Sequence, residues 1–267
     1  MRHMLKPLLL VPVLGLALAA GACGQVGTSA RPGPSARTSA SPSQASPHPA
    51  GPPTSPPRTT PPASAARVIR LGMRGADVRQ LQRRLADLRY YPGAIDGRFG
   101  QDTLEAVWAF QEVQGVTVSG EVGPATRRAL ARPRSPRALI PDGGSSRVEV
   151  DLSRRVLVLY LAGRVALISH ISSGGGYYYC SPSGGCGYAV TPAGDFSTTV
   201  FMPGWVTVPL GEMYNPVFFI GTAYAIHGDA SVPLQPVSHG CVRIPMDIAE
   251  FFHRLVRAPG TPVYIRR

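Results

Sequence analysis

Lysine is almost absent from this chain of 267 residues, and acidic residues are scarce. Lys6 is the one lysine among 27 basic residues, against 15 acidic residues, which gives a formal net charge of +12. The first 66 residues hold +5, residues 67–131 hold +3, residues 132–145 hold +2 and residues 146–267 hold +2, so most of the excess lies outside 67–131 and 146–267. Nucleic-acid binding needs a clustered basic face with interleaved aromatic side chains, and neither of the two later regions has one. We therefore expect no nucleic-acid partner.

Long hydrophobic runs are also missing. The longest run, residues 8–20, is too short to span a bilayer comfortably. Arg2 and Lys6 precede it, and Ala-Gly-Ala at 20–22 follows, which predicts an export signal over residues 1–22. Small residues directly before Cys23 resemble a bacterial lipoprotein signal, in which that cysteine carries the lipid, although Ala-Gly-Ala also suits ordinary cleavage. We expect an exported lipoprotein, attached to the outer face of the cytoplasmic membrane and reaching into the cell wall.

The segment 23–66 lacks aromatic and acidic residues but holds eleven Pro and eight Ser. Such a composition cannot bury enough apolar surface to offset the entropy of the chain, so it predicts a disordered tether. Two regions of ordinary composition remain, 67–131 and 146–267, separated by a short linker at 132–145. Both regions are long enough to fold, and we expect two domains.

Residues 67–131 show the spacing of amphipathic helices and predict three short helices. The pairs Asp77/Gln80 and Asp102/Glu105 have the spacing of capping boxes, and Pro124 suits a first helical turn. The region contains no His and no Cys, so it has few means of catalysis.

A longer pattern runs through the same region. It consists of Leu71, Gly72, Gly75, Val78, Leu81, Gln82, Leu85, Tyr91, residues 96–100 (Asp-Gly-Arg-Phe-Gly), Thr103, Ala106, Val107, Phe110, Gln111, Gly115, Gly120, residues 122–124 (Val-Gly-Pro) and Thr126. This pattern resembles the peptidoglycan-binding domain 1 family. The resemblance implies a small all-α three-helix domain that binds peptidoglycan, and it assigns no ligand residue.

Residues 146–267 change to the pattern of strands. Runs rich in Val and Leu at 148–152 and 156–160 predict a hairpin. Further strands are predicted at 166–172, 206–208, 218–220, 224–226 and 263–265, with a helix near 248–256. Strands and helices do not alternate, and no Gly-rich phosphate loop follows a strand, so we expect a mostly-β domain and no doubly wound nucleotide-binding fold.

The chain has four cysteines, and a role can be considered for each. Cys23 is the candidate for lipidation. Cys180 and Cys186 bracket a five-residue loop that one disulfide could close in an oxidising compartment. Cys241 is then left unpaired, as an inert buried thiol or as a nucleophile.

The neighbours of Cys241 favour the nucleophile. A thiol needs a base, and His227 at the end of an apolar strand is the preferred candidate over His239, which is two residues from the thiol. Gly240 allows close approach of the backbone to a carbonyl. Two alternatives are weaker: a zinc site built from the two histidines and the thiol with Asp229, and serine catalysis through Ser238.

Two motifs lie close together here: His227-Gly228, and residues 238–243 (Ser-His-Gly-Cys-Val-Arg). Residues 172–174 (Ser-Ser-Gly) and 191–196 (Thr-Pro-Ala-Gly-Asp-Phe) accompany them upstream. Together they resemble the L,D-transpeptidase catalytic domain, also called the YkuD family, over almost all of 146–267. The resemblance implies a β-sandwich-like domain that needs no cofactor and no metal.

The resemblance also implies a reaction. Cys241 would attack a peptidoglycan stem tetrapeptide at the carbonyl of its third residue and release D-Ala. The thioester would pass to the amine of a neighbouring stem, giving a 3-3 cross-link, or to water. His227 would act as base and then acid, with the Gly240 and Cys241 N–H groups on the oxyanion.

The remaining candidate residues are expected to contact substrate or to shape the site. They are Ser238, His239, Arg243, Gly228 and Tyr214, and Arg243 could equally hold the loop through a salt bridge. The expected partners are peptidoglycan stem peptides and glycan, and the membrane through the lipid anchor. The alternatives are an L,D-carboxypeptidase and a catalytically silent wall-binding lipoprotein.

Overall fold

The structure is a computed structural model, and it describes residues 67–267. The predicted export signal, Cys23 and the predicted tether lie outside the described residues. Within 67–267, no helix is long and apolar enough to cross a membrane.

Three helices form the first part of the described chain, as the apolar spacing predicts. They are α1 (Ala76–Asp87), α2 (Gln101–Gln114) and α3 (Pro124–Ala131). On α1 the buried apolar side chains are Val78, Leu81 and Leu85, which recur at three- and four-residue spacing and so share one face. Pro124 occupies the first turn of α3, where the missing N–H costs no hydrogen bond.

The helix starts differ from the prediction. The N-cap residues are glycines, Gly75 for α1 and Gly100 for α2, and neither helix has a side-chain cap hydrogen bond. Asp77 and Asp102 lie inside the first turns, so the predicted capping boxes are wrong. Each aspartate lies two positions after its N-cap glycine, where its charge still interacts favourably with the positive end of the helix dipole.

The second part is mostly β, as predicted, with one helix, α4 (Met246–Leu255). The strands are β1 (Arg147–Asp151), β2 (Val156–Leu161), β3 (Arg164–His170), β4 (Tyr178–Cys180), β5 (Cys186–Tyr188), β6 (Gly194–Ser197), β7 (Trp205–Val208), β8 (Gly211–Ile220), β9 (Tyr224–Asp229), β10 (Val242–Pro245) and β11 (Pro262–Arg266). The predicted hairpin is β1–β2.

Two larger sheets and one small hairpin contain these strands. One sheet has the order β3-β2-β1-β11-β6, the other has the order β10-β9-β8-β7, and β4 pairs with β5. A single apolar core contains side chains from both sheets, such as Leu159 and Ile226, together with Phe252 of α4. The β-sandwich-like architecture is therefore confirmed.

The helical part and the β part share a second core. Along β2, the side chains of Leu157 and Leu159 belong to the sandwich core, whereas Val156, Val158 and Tyr160 pack with the buried residues of α1 and α2. Successive side chains of a strand point to opposite faces, so this sheet is covered on one side by the sandwich and on the other by the helices. The described residues accordingly fall within one compact unit, in which the helical part and the β part share this core.

Polar contacts reinforce this junction. The backbone N–H of Ile168 in β3 donates to the carbonyl of Arg89 after α1, at 2.8 Å, and Glu112 of α2 forms an ion pair with Arg155. The expected linker at 132–145 is itself held: the side chain of Gln114 and the backbone of Arg134 exchange two hydrogen bonds, at 2.8 and 2.9 Å. The linker is therefore packed against the folded unit.

Candidate active site

Two neighbouring parallel strands present the candidate catalytic residues. In the register of β9 and β10, Ile226 lies beside Val242 and His227 beside Arg243. Ile226 and Val242 are fully buried in the sandwich core. Because side chains alternate along a strand, His227 and Arg243 point to the opposite face, and Cys241, directly before β10, points the same way.

That face forms the floor of a cleft with a volume of about 680 Å³. His227, His239 and Cys241 all line it, so the structure brings together the three residues singled out for thiol chemistry. One wall is apolar. It is formed by Met202, Val206, Val208, Pro209, Leu210, Met213 and Phe218.

The imidazole of His227 is fixed in one tautomer. It is 4 % exposed, and its Nδ1 lies 2.9 Å from the carbonyl oxygen of Gly228. A carbonyl can only accept, so Nδ1 carries the proton and, in the neutral ring, Nε2 has a free lone pair. Burial lowers the pKa of His227, and the charge of Asp229 only partly opposes this. A neutral imidazole with a basic Nε2 is what a general base requires.

The sulfur of Cys241 is not in a disulfide. Its Sγ lies 3.4 Å from the backbone N–H of Ala225, which donates to it. Burial raises the pKa of the Cys241 thiol, while the Ala225 N–H and the charge of Arg243 act in the opposite direction. Because this pKa is raised and that of His227 is lowered, the resting pair is a neutral thiol and a neutral imidazole.

Two hydroxyl groups hold the loop that carries the thiol. The Oγ of Ser238 donates to the carbonyl of Cys241 at 2.6 Å and accepts the N–H of Gly240 at 3.0 Å. From the other side, the Oγ1 of Thr191 donates to the carbonyl of Gly240 at 2.8 Å and accepts the N–H of Gly174 at 2.9 Å. Ser238 therefore positions the backbone around the nucleophile.

Gly240 has a structural role in this loop. Its N–H donates to the Oγ of Ser238, and its expected role at the oxyanion stays a prediction. The backbone requires a glycine here, because its φ is 146° and an added Cβ would lie 2.7 Å from the ring of Tyr224 and 3.0 Å from the carbonyl oxygen of Val190. Gly240 allows the loop to turn closely against these neighbours.

Arg243 is paired within the protein. Its Nε lies 3.1 Å from Oδ2 of Asp229, at the rim of the same face. Of the two roles considered for Arg243, the salt bridge is therefore formed, although its side chain also lines the cleft. No cluster of three or more His, Cys, Asp or Glu suited to a metal ion occurs in residues 67–267, so His227, His239 and Cys241 do not form such a cluster with Asp229.

Gly228 and Tyr214 do not line the cleft, and the expectation that they contact substrate is not supported. An added Cβ on Gly228 would lie 2.6 Å from the Cβ of Ala249, so this glycine makes room for α4. The hydroxyl of Tyr214 donates to Glu250 of α4 at 2.8 Å. Gly228 still contributes to the site through the carbonyl that orients His227.

Tyr179 and Thr191 belong to the site although the sequence assigns neither a role. Cys180 and Cys186 are joined in a disulfide, as predicted. The hairpin that this disulfide closes brings Tyr179 to the cleft. Thr191 belongs to a segment that resembles the family, but its bond to Gly240 depends on a contact 49 residues away in the chain. A local pattern carries no signal for such a contact.

Comparisons with known proteins agree with this geometry. Residues 145–265 match the family described as "L,D-transpeptidase catalytic domain", and residues 74–130 match "Putative peptidoglycan binding domain". The crystal structure of the L,D-transpeptidase (residues 123–326) from Xylanimonas cellulosilytica is 36 % identical and superposes with a TM-score of 0.70, covering 76 % of this chain and 98 % of that one.

Curated relatives match over shorter stretches. The N-acetylmuramoyl-L-alanine amidase CwlM of Mycobacterium tuberculosis is 45 % identical over 56 residues, 21 % of this chain and 14 % of its own length. The zinc D-Ala-D-Ala carboxypeptidase of Streptomyces albus G is 48 % identical over 60 residues, 21 % of this chain and 22 % of its own length. The chain thus spans less than a quarter of either relative. The two family matches and the similarity to the Xylanimonas enzyme over 98 % of its length show that this chain belongs to the L,D-transpeptidase family and carries a peptidoglycan-binding domain ahead of the catalytic one.

Proposed function

We propose that this protein is a cell-wall L,D-transpeptidase that forms 3-3 peptidoglycan cross-links through a thioester on Cys241. The observation that carries the proposal is the pair of Cys241 and His227 in one cleft, with His227 held by Gly228 in the tautomer that leaves Nε2 basic. The acyl donor is a stem tetrapeptide, and the bond that breaks joins its third residue, a diamino acid, to the terminal D-Ala.

The first half-reaction makes the thioester. The Nε2 of His227 takes the proton of the Cys241 thiol as the sulfur attacks the carbonyl carbon of the third residue. The tetrahedral intermediate collapses, the carbon–nitrogen bond breaks, and His227 returns the proton to the amine of the departing D-Ala. A raised thiol pKa makes this transfer necessary, because little thiolate exists before the substrate binds.

The second half-reaction regenerates the thiol. The side-chain amine of a neighbouring stem attacks the thioester, loses a proton to His227, and expels the sulfur, which recovers the proton. The thioester keeps the acyl group activated, so the transfer needs no ATP. Since the N–H of Gly240 is bound to Ser238, we assign the N–H of Cys241 as a backbone donor to the oxyanion.

The walls of the cleft favour transfer to an amine over hydrolysis. The apolar wall, which includes Val206, Leu210 and Phe218, reduces the polar surface that could order water near the thioester. Arg243 is neutralised by Asp229, so it adds little net charge. An L,D-carboxypeptidase, in which water takes the acyl group, is the second candidate.

The remaining parts of the chain fit the same proposal. We propose that the helical domain binds peptidoglycan and keeps the cleft close to its substrate. We also propose that the chain is exported and attached to the membrane through a lipid on Cys23, with residues 23–66 as the tether.

Incubation of the purified protein with a stem tetrapeptide, followed by intact-mass analysis, tests the proposal. We expect a mass increase equal to the tetrapeptide minus D-Ala, loss of that increase when a second stem is added, and a cross-linked product. Cys241→Ala is expected to show no increase, and a carbapenem-type β-lactam is expected to acylate the wild type alone. An adduct of equal yield on Cys241→Ala would overturn the thiol mechanism. Release of free tripeptide in place of cross-linked product would favour the carboxypeptidase.

A matched pair of variants tests which histidine is the base. His227→Gln is expected to slow acylation by about 10²- to 10⁴-fold, the usual contribution of a general base. His239→Gln keeps His227 intact and is expected to slow it far less. If the two variants lower the acylation rate by the same factor, or His239→Gln lowers it more, His227 is not the base.

A further inference from the structure

A small hairpin closed by a disulfide borders the cleft. It consists of β4 and β5, which pair so that Tyr178 lies opposite Tyr188, Tyr179 opposite Gly187, and Cys180 opposite Cys186. The disulfide joins the last of these pairs. An isolated two-stranded hairpin of this length is marginal in water, so its position depends on the disulfide and on contacts with the rest of the domain.

The two faces of the hairpin have different surroundings. Tyr178 and Tyr188 share the outer face with the disulfide, are 61 % and 68 % exposed, and contact each other with ring centroids 5.3 Å apart. Tyr179 points the opposite way, because side chains alternate along a strand, and it lines the cleft. Tyr179 is therefore in direct contact with the cleft, whereas Tyr178 and Tyr188 do not line it.

On the inner face, aromatic rings enclose His239. The ring of Tyr179 lies 4.7 Å from the imidazole, centroid to centroid, and the ring of Tyr177 lies 5.6 Å from it, both edge-on. Tyr177 is fixed in turn, because its hydroxyl donates to the carbonyl of Val237 at 3.3 Å. His239 stands between Ser238, which holds the nucleophile loop, and Gly240, so its ring position affects the wall beside Cys241.

We propose that Tyr179, held in place by the Cys180–Cys186 disulfide, positions His239 in the wall of the cleft, so that full turnover of the acyl donor requires the oxidised hairpin. Reduction by an external dithiol would transfer two electrons and two protons to the disulfide, giving two thiols and an oxidised dithiol. The hairpin would then lose its covalent closure, and Tyr179 its fixed contact with His239. This inference rests on the proposed function, because its readout is acyl transfer.

Adjacent residues on opposite faces of the hairpin provide a matched pair of variants. Tyr179→Leu removes the ring against His239, and we expect kcat/KM for a stem tetrapeptide to fall by about 2- to 12-fold, the range for one aromatic pair. Tyr178→Leu changes the same hairpin on its outer face and is expected to match the wild type. Tyr179→Phe keeps the ring and is expected to restore the rate. Equal rates for Tyr179→Leu and Tyr178→Leu would overturn the positioning role, as would a Tyr179→Phe rate no better than that of Tyr179→Leu.

The redox part has its own test. Treatment of the wild type with dithiothreitol, verified by a mass increase of two hydrogens, is expected to lower kcat/KM to the level of the double variant Cys180→Ser/Cys186→Ser. The double variant is expected to be insensitive to the dithiol, and its thermal unfolding checks that the domain still folds. An undiminished rate in the verified reduced wild type would overturn the requirement for the disulfide.

Failure of this inference and failure of the proposed function give different results. If the tetrapeptide does not acylate Cys241 in the oxidised wild type, the proposed function fails. If the wild type is acylated and the Tyr179→Leu variant or the reduced protein reacts equally fast, only the inference from the hairpin fails.

Discussion

The core shared by the helical and β parts predicts that they unfold together. Two adjacent residues of β3 test this, because Leu167 packs into the sandwich core and Ile168 into the core with the helices. They are 3 % and 2 % exposed, so truncation of either removes a fully buried side chain. Loss of such a side chain costs about 2–5 kcal/mol, through lost burial and the cavity that remains.

We expect Leu167→Ala and Ile168→Ala each to lower the melting temperature of one common transition. For a unit of this size each kcal/mol corresponds to about 2–4 °C, so the expected shift is about 4–20 °C. Differential scanning calorimetry of the full chain, with the wild type as reference, measures it. The backbone bond from Ile168 to Arg89 is kept in the alanine variant, so the change reports side-chain packing.

Two resolved transitions, of which each variant shifts only one, would refute cooperative unfolding through the shared core. So would an unchanged melting temperature for Ile168→Ala alongside a lowered one for Leu167→Ala. Either result would mean that the helices and the β domain are independent domains joined by a linker.

Two further predictions concern pH. Burial raises the pKa of Glu105 from 4.5 to about 7 and that of Asp247 from 3.8 to about 7. A carboxyl whose pKa is higher in the folded state stabilises the fold below its unfolded pKa and loses that contribution as pH rises through about 7. The melting temperature should therefore fall between pH 5 and pH 8, and Glu105→Gln should make this fall smaller. An unchanged or larger fall in the variant would contradict a raised pKa for Glu105. Asp229→Asn removes a negative charge that raises the pKa of His227. In a pH–rate profile of acylation, the pH below which the rate falls should therefore move downward. An upward shift would mean that the rate is not limited by the neutral form of His227.

The sequence predicts most of the sandwich because strand signals are local. The runs at 148–152 and 156–160 form the hairpin β1–β2, and the helix near 248–256 is α4. Strand β10 was missed, since four residues directly after Cys241 carry no clear alternation of their own. Its parallel pairing with β9, which places Arg243 beside His227, is a long-range contact that no local pattern specifies.

The sequence of β2 carries a signal for burial on both faces. Residues 156–161 read Val-Leu-Val-Leu-Tyr-Leu, a continuous apolar run typical of strands covered on both sides. A hairpin with one solvated face would alternate with polar residues. The run therefore indicates that something covers the second face, but it does not identify the helices of residues 67–131 as the cover.

The candidate site was predicted best where its residues are close in sequence. Ser238, His239, Gly240 and Cys241 lie on one loop, and the structure keeps them at the cleft. Gly228 lies against α4, and the sequence could not predict this because a glycine next to a candidate base has the same signal whether it faces substrate or a helix.

The most direct measurement is the site of the acyl group. The protein is quenched in acid during reaction with a stem tetrapeptide, digested, and mapped by tandem mass spectrometry. We expect a tripeptide acyl group on the sulfur of Cys241. An acyl group on the hydroxyl of Ser238, or product formation with no acylated peptide at any quench time, would contradict it.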